Sequence, residues 1–505
     1  MNRSWARNGF GVLIAFSLWQ LAATISAASG SIPPPVRVVL YVYTFRAEYT
    51  RHILATLCSA SLGLAVGAMF GCIIATLVVM IPELDFLLGP CTLLFGIPLI
   101  VLVPIIGMTT DPSWSPVLCA ALLAYFPVLI LFVVGLRNVP LSVMSFAASA
   151  GAAPLKLFSK VRLRYALPGL AAGFYTVIPL AFLGSMLGEL TGARWGLGAY
   201  LIAIMAQANP TKEWGIFLVS AAITAGASWL CTLLMNALGL TKAPITAGIK
   251  NFGSKQRLLL GVIASIFIWE VAARWVSNPY FVKTPTQILT YSLQLSSPEV
   301  RSLFQAAGYT FVWSLAGLTV GVITGFLCAL LLDIFTVFRP VLLSVVLVTQ
   351  AVPIIALVPM YVSIFGRGAA ATLAITTSAI FFPCFASIYE GLQHTPGAMV
   401  DFAQSTGASV VSVLSRVRIP AATPFIFAAV RLAAPRVLLG VTLAEYLATR
   451  RGLGAVLFDA RGTLNFNVIW AIALLTGGAS LVFTELVEYF ERKSFSKYWS
   501  NVYAL

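Results

Sequence analysis

Glu189, Glu270, Asp333, Arg431, Arg436 and Glu445 stand inside long apolar runs of this 505-residue chain. An ion removed from water is costly unless it is paired or put to use, so each is a candidate for function. Glu189 and Glu445 each lie five residues before an arginine, Arg194 and Arg450, a spacing that predicts either a salt bridge at a gate or a contact to a ligand. Arg436 sits deeper in its run. Its guanidinium can bond a helix carbonyl or Asp333, or it can meet a planar oxyanion through a bidentate fork. Metal and covalent chemistry have little to build on. His52 and His394 are the two histidines, and Cys58, Cys72, Cys91, Cys119, Cys231, Cys328 and Cys384 stand singly, with no C-x-x-C pair. They read as small buried hydrophobes. An intramembrane enzyme would need a nucleophile–base pair or metal ligands, which this sequence does not offer.

The elements that carry these charges are set by composition. Hydrophobic residues make up 60% and charged residues 9% of the chain, against about 25% charged in a soluble domain, and mean hydropathy is +0.96. The fold expected is an all-α membrane protein. The formal charge of +15 fits cytoplasmic loops facing anionic lipid better than nucleic acid. Twelve runs near 9–29, 54–80, 87–108, 116–136, 169–190, 214–239, 257–277, 308–336, 341–365, 369–391, 425–447 and 467–489 are long enough to cross about 30 Å of hydrocarbon. The first follows a basic start, yet lacks a small-residue cleavage site and reads as a retained helix. With the N-terminus inside, seventeen Lys and Arg face the cytoplasm against twelve outside, which places both termini in the cytoplasm.

The chain also repeats itself. Thr56, Gly63, Gly67 and Gly71 recur as Thr310, Gly317, Gly321 and Gly325 at an offset of 254, and Pro98 and Pro104 as Pro353 and Pro359 at 255. From Phe146 the offset is 256: Phe146, Ala147, Gly151, Ala152, Arg162 and Pro168 return as Phe402, Ala403, Gly407, Ala408, Arg418 and Pro424. Glu189, Arg194, Gly196, Leu197 and Gly198 return as Glu445, Arg450, Gly452, Leu453 and Gly454. Two tandem six-helix domains, 1–240 and 257–505, joined by a cytoplasmic linker at 241–256, should be related by a pseudo-twofold axis along the membrane normal. The GxxxGxxxG ladders need no more than close helix packing. Paired prolines at identical spacing point to a defined helix break that shapes a cavity.

The segments at 145–168 and 401–424 are different, because an amphipathic basic stretch with a central glycine is elaborate for a connector. "SFAASAGAAPLKLFSKVRLRYALPG" and "DFAQSTGASVVSVLSRVRIPAATPF" each read as a short helix, a glycine turn and a second helix. Such an elbow on the membrane surface offers a knob to a soluble partner. A helix merely resting on lipid would not need the same Gly, Ser, Val-Arg and Pro positions twice.

These segments resemble the EAA coupling loop of permease subunits of binding-protein-dependent ABC importers, with Gly151 and Gly407 as the loop glycine and Pro168 and Pro424 as the closing proline. "AEYLATRRGLGAVLFDARGTLNFNVIWAIALL" resembles the nitrate, sulfonate and taurine branch, whose E-x(6)-GLG stretch lies at the outer mouth. The loops depart from the pattern at Ser145 against Asp401 and at Arg164 against Pro420, so unequal coupling is expected. The resemblance implies two permease units fused in one type I importer chain, docked by two ATP-binding subunits on the cytoplasmic face. Solute would come from an extracytoplasmic binding protein, in a bacterial inner membrane. No G-x(4)-G-K-[ST] loop occurs in the chain, so ATP would be bound elsewhere; no cofactor, metal or covalent step is implied. Ala147, Gly151, Ala152, Arg162, Pro168 and their repeats would couple. Pro98, Pro353, Glu189, Arg194, Arg436, Glu445 and Arg450 would line the path or gate it. Arg436, whose counterpart is Leu180, tilts the solute toward a small anion such as a sulfonate or nitrate, with a heterocyclic vitamin precursor close behind. The competing class is a secondary transporter with 6+6 parallel repeats, which would need ion sites but no matched loops.

Overall fold

The computed structural model describes residues 16–26, 30–240, 255–275, 280–335 and 352–499, with 339, 343, 346, 349 and 350. Among these, every regular element is a helix. The first half holds α1 (Phe16–Ile25), α2 (Pro35–Thr44), α3 (Arg46–Met80), α4 (Leu88–Gly96), α5 (Leu99–Thr109), α6 (Ser115–Arg137), α7 (Leu141–Ser149), α8 (Pro154–Leu157), α9 (Leu163–Glu189), α10 (Leu197–Met205) and α11 (Pro210–Ala237). The second holds α12 (Lys255–Trp275), α13 (Pro285–Ser292), α14 (Pro298–Ile334), α15 (Ile354–Phe365), α16 (Ala369–Gln393), α17 (Gly397–Ser405), α18 (Val410–Val413), α19 (Ile419–Leu447), α20 (Leu453–Gly462) and α21 (Phe466–Trp499).

Seven of these are long and apolar enough to span a membrane: α3, α6, α11, α14, α16, α18 with α19, and α21. An eighth span is the bent pair formed by α4 with its preceding turn and α5. The other expected runs correspond to α1, α9, α12 and α15; 9–29, 257–277, 308–336 and 341–365 lie only partly within the described residues, and so does the linker.

The third run of the first half is not one straight helix. Ile97 and Pro98 leave helical geometry, with ψ of 125° and 123°, and the chain turns by 93° between α4 and α5. A residue before proline is pushed out of the α region, while proline itself suits a helix start. Pro353 has the same geometry, φ −59° and ψ 126°, ahead of α15. Pro104 and Pro359 lie buried inside the helices that follow.

Glycine decides the packing within each half. A Cβ on Gly63, Gly67 or Gly71 would fall 2.5, 2.5 and 2.6 Å from the carbonyl oxygens of Val117, Ala121 and Tyr125 on α6. The ladder therefore brings two helix backbones into contact, as small residues do where lipid supplies no hydrophobic drive. Between halves the contacts are exchanged. The first half's α5 packs on α19, α20 and α21, and the second half's α15 packs on α9, α10 and α11. One apolar cluster joins them, containing Leu99 to Val103 from α5, Ile354 to Ala356 and Val358 from α15, and Leu183, Leu187 and Leu443.

Gly67→Val should lower the thermal unfolding midpoint of the purified chain, because backbone atoms face the new side chain and overpacking costs about 1–3 kcal/mol or more. Gly226→Ala on α11, where a Cβ meets nothing within 4 Å, is the control and should leave the midpoint unchanged or slightly raised.

Candidate functional site

Both elbows form as the sequence predicts, and a helix C-cap explains the spacing of their small residues. Ala152 N donates to Ala147 O at 3.1 Å and Ala408 N to Ala403 O at 3.1 Å. These bonds close the last turns of α7 and α17 around Gly151 and Gly407, whose φ values are +74° and +79°, in the manner of a Schellman cap. A Cβ at either glycine would meet no atom within 4 Å, so the conformation, not space, selects glycine. The second limb is not a separate surface helix. α8 and α18 run through five-residue π-helical segments, Phe158–Arg162 and Leu414–Arg418, directly into α9 and α19, so a push on the elbow is a push on a membrane helix.

Pro168 and Pro424 lie inside those two helices. Arg162 Nη1 donates to Val79 O at 3.3 Å, whereas Arg418 Nη1 bonds both carboxylate oxygens of Asp333, at 2.7 and 2.6 Å. Asp333 is therefore the partner of the elbow and not of Arg436. The elbows also carry exposed apolar side chains that composition alone did not single out: Phe146, Leu155, Phe402, Val410 and Val411. Their repetition as Phe146 and Phe402 was the available signal.

Both elbows lie on one face. α12 begins against Phe86, at the end of the first half that holds Val79, crosses once, and α14 crosses back to end at Asp333. On the opposite face the Glu–Arg spacing does not produce a salt bridge. Glu189 accepts from Gly198 N at 2.7 Å and from Ser185 Oγ at 3.1 Å, and Thr56 Oγ1 accepts from Leu197 N at 2.8 Å. In the second half Glu445 accepts from Gly454 N at 3.0 Å and from Thr310 Oγ1 at 2.8 Å, while Thr310 Oγ1 accepts from Leu453 N at 2.8 Å. Arg194 instead stacks over Trp195, with Arg51 on the same ring. The two carboxylates are buried and hold the Gly-Leu-Gly loops to α9 and α19, while Thr56 and Thr310 hold them to α3 and α14, which removes the carboxylates as solute contacts in this conformation.

Pro98 and Pro353 introduce the segments that meet at the centre, and there they pack in the apolar cluster shared by the two halves. Leu180 lies against that cluster. Arg436, its counterpart, is half-buried and makes no hydrogen bond or ion pair with any described residue. Among the described residues, two polar links cross between halves on the side of the Gly-Leu-Gly loops. Arg461 donates to Leu190 O at 3.0 Å and to Tyr446 Oη at 2.7 Å; the buried Glu213 lies against the Ser363 hydroxyl. The repeat puts Met205 and Ile469 in the places of Arg461 and Glu213, so neither link has a symmetric copy. Arg461→Met should lower the thermal midpoint of the purified chain, since a charge-assisted bond is worth about 1.5–3 kcal/mol. An unchanged midpoint would show that this link contributes nothing to holding the halves together.

The profile of the family described as "Binding-protein-dependent transport system inner membrane component" matches residues 63–241 and again 317–496. A probable ABC transporter permease of Haemophilus influenzae is 30% identical over 45% of this chain and 91% of its own length. A formylaminopyrimidine transport permease of Halalkalibacterium halodurans is 28% identical, covering 41% and 84%. The taurine transport system permease of Escherichia coli is 27% identical, covering 42% and 78%. Each relative spans most of itself and less than half of this chain, as expected where one chain holds two units. With a helical membrane fold, two matched units and a matched elbow in each, the chain belongs to the family of binding-protein-dependent transport system inner membrane components and is a two-unit permease subunit of an ABC importer.

Proposed function

We propose that this chain alone forms the translocation path of an importer that takes up a small organic or inorganic anion. Two ATP-binding subunits dock on the elbows, one around Gly151 and one around Gly407, and an extracytoplasmic binding protein delivers solute to the Gly-Leu-Gly face. The elbow face and both termini are then cytoplasmic, in a bacterial inner membrane. The observation that carries the docking reading is the pair of identically capped elbows, each presenting exposed apolar side chains and each continuous with a membrane helix. A groove on a soluble partner would bury Phe146 and Leu155, or Phe402, Val410 and Val411, by helix-in-groove recognition.

The anion preference rests on Arg436. A guanidinium without a hydrogen bond or ion pair among the described residues stays available for an oxyanion, which it can grip through two parallel bonds. Taurine, the solute named for one relative, carries a sulfonate and fits. The heterocycle named for another keeps a vitamin precursor as the second reading.

Replacing both Gly151 and Gly407 with Glu should abolish co-purification of the ATP-binding subunits while leaving the chain inserted, because glutamate resists the positive φ and adds charge to an apolar knob. Retained co-purification would overturn the elbow assignment. For the path, Arg436→Leu copies the first half and should reduce uptake of taurine or nitrate about tenfold to a hundredfold, the equivalent of a lost charge-assisted bond. Arg436→Lys should recover part of it. Full uptake by the Leu variant at equal membrane abundance would remove direct recognition at this position.

A further inference from the structure

The structure assigns Asp333 as a positioning residue: we propose that it clamps the second elbow to the body of its half, and that the first elbow, lacking this clamp, is the compliant one. Asp333 closes α14, and its side chain is 3% exposed. Its carboxylate collects Arg418 from the π-helical segment at 2.6 Å, Gln393 from the end of α16 at 3.0 Å, and Arg339 at 3.8 Å. Arg339 Nε also donates to Leu332 O at 3.3 Å. One buried anion thus ties the elbow's second limb to the ends of two membrane helices.

The first half has the same arginine and no anion to receive it. The glycine ladder aligns Val79 with Asp333 at the repeat's offset of 254, so Arg162 reaches the Val79 carbonyl at 3.3 Å. Arg137, in the place of Gln393, turns away to Asp85 at 2.6 Å, which holds the end of α6 to the turn before α4 and leaves the elbow out. A neutral carbonyl at that distance is a weaker anchor than a bidentate carboxylate in a site shielded from water. The cavity of about 180 Å³ between Gln404, Val410, Val413 and Leu414, with Asp333 and Arg418 on its wall, leaves the ion pair as the polar tie at this point of the second elbow. A displacement of that elbow then carries α14 and α16 with it, whereas the first can bend at Phe158–Arg162.

The consequence for transport rests on the elbow docking proposed above, but the stiffness difference does not. Hydrogen exchange on the full chain in lipid nanodiscs measures it without ATP-binding subunits, binding protein or solute. Amides of 406–418 should exchange about tenfold to a hundredfold more slowly than those of 150–162, the range that follows from one charge-assisted anchor. Asp333→Asn should erase that difference and leave the first elbow unchanged. Val79→Asp should slow the first elbow by giving Arg162 a carboxylate. Exchanging the partners, Asp333→Arg with Arg418→Asp, should restore slow exchange where either change alone does not, a rescue that a packing role would not produce. Equal exchange in the two wild-type elbows, or no response of the first elbow to Val79→Asp, overturns the proposal even if Asp333→Asn fails to insert. Slow exchange as expected, together with lost ATP-binding partners in no glycine variant, would instead sink the docking reading alone.

Discussion

The constraint behind this structure is that a chain surrounded by hydrocarbon must satisfy its own polar groups. Helices meet it locally, and the places where the chain leaves a helix are the places where it needs help. At the Gly-Leu-Gly loops that help is a carboxylate and a threonine. Glu189 and Thr56 receive the loop amides of the first half, and Glu445 and Thr310 those of the second. At Pro98 and Pro353 the freed backbone is enclosed between the halves, where α5 and α15 each pack into the opposite unit. Irregular backbone at membrane depth is tolerated only when protein covers it, so the breaks and the exchange of third runs are one solution.

Much of this was legible from the sequence because repetition acts as a second observation of the same site. The offsets located both elbows, the ladders and the proline breaks. A C-cap needs its glycine and its i, i+5 partner at fixed spacing, and spacing is what a sequence records. Tertiary partners were not legible. Glu189 stands five residues from Arg194, yet it bonds the amide nine residues on, because the loop's backbone donors are closer and less costly to desolvate than an arginine that can stack on Trp195. Asp333 was open as a partner of Arg436, but α14 ends on the elbow face, next to Arg418. The break expected at Pro98 within 87–108 is there, but its sharpness, a 93° turn, was not legible, since apolarity is indifferent to direction. Setting Val79 beside Asp333 would have exposed the unequal anchors, and that comparison requires knowing that Arg162 and Arg418 reach those positions.

Fusion of the two units changes what symmetry demands. A permease assembled from two identical copies must place the same residue at both ends of its axis, so any charge at the centre appears twice. Here the repeat aligns Arg436 with Leu180, Arg461 with Met205, Glu213 with Ile469 and Asp333 with Val79. Each substitution leaves the shared framework intact, because the ladders, caps and loop locks carry the fold in both halves. These four differences put one charge in one half only, where a second copy would add repulsion or a further desolvation cost.

The seam explains how such a molecule can move without coming apart. Its centre is apolar and closely packed, and among the described residues its polar links lie at the Gly-Leu-Gly side. Apolar contact is not directional, so the halves can shift against each other and repack, while a link such as Arg461 to Leu190 is either made or broken. An elbow that is continuous with α9 or α19 would deliver force along that helix toward the loop locked by Glu189 or Glu445, less directly in the first half, where Phe158–Arg162 has no carboxylate clamp. Because the loop amides are bonded to Thr56 of α3 or Thr310 of α14, a load on an elbow reaches the helices of its own half first, and the apolar seam is where one half can shift against the other.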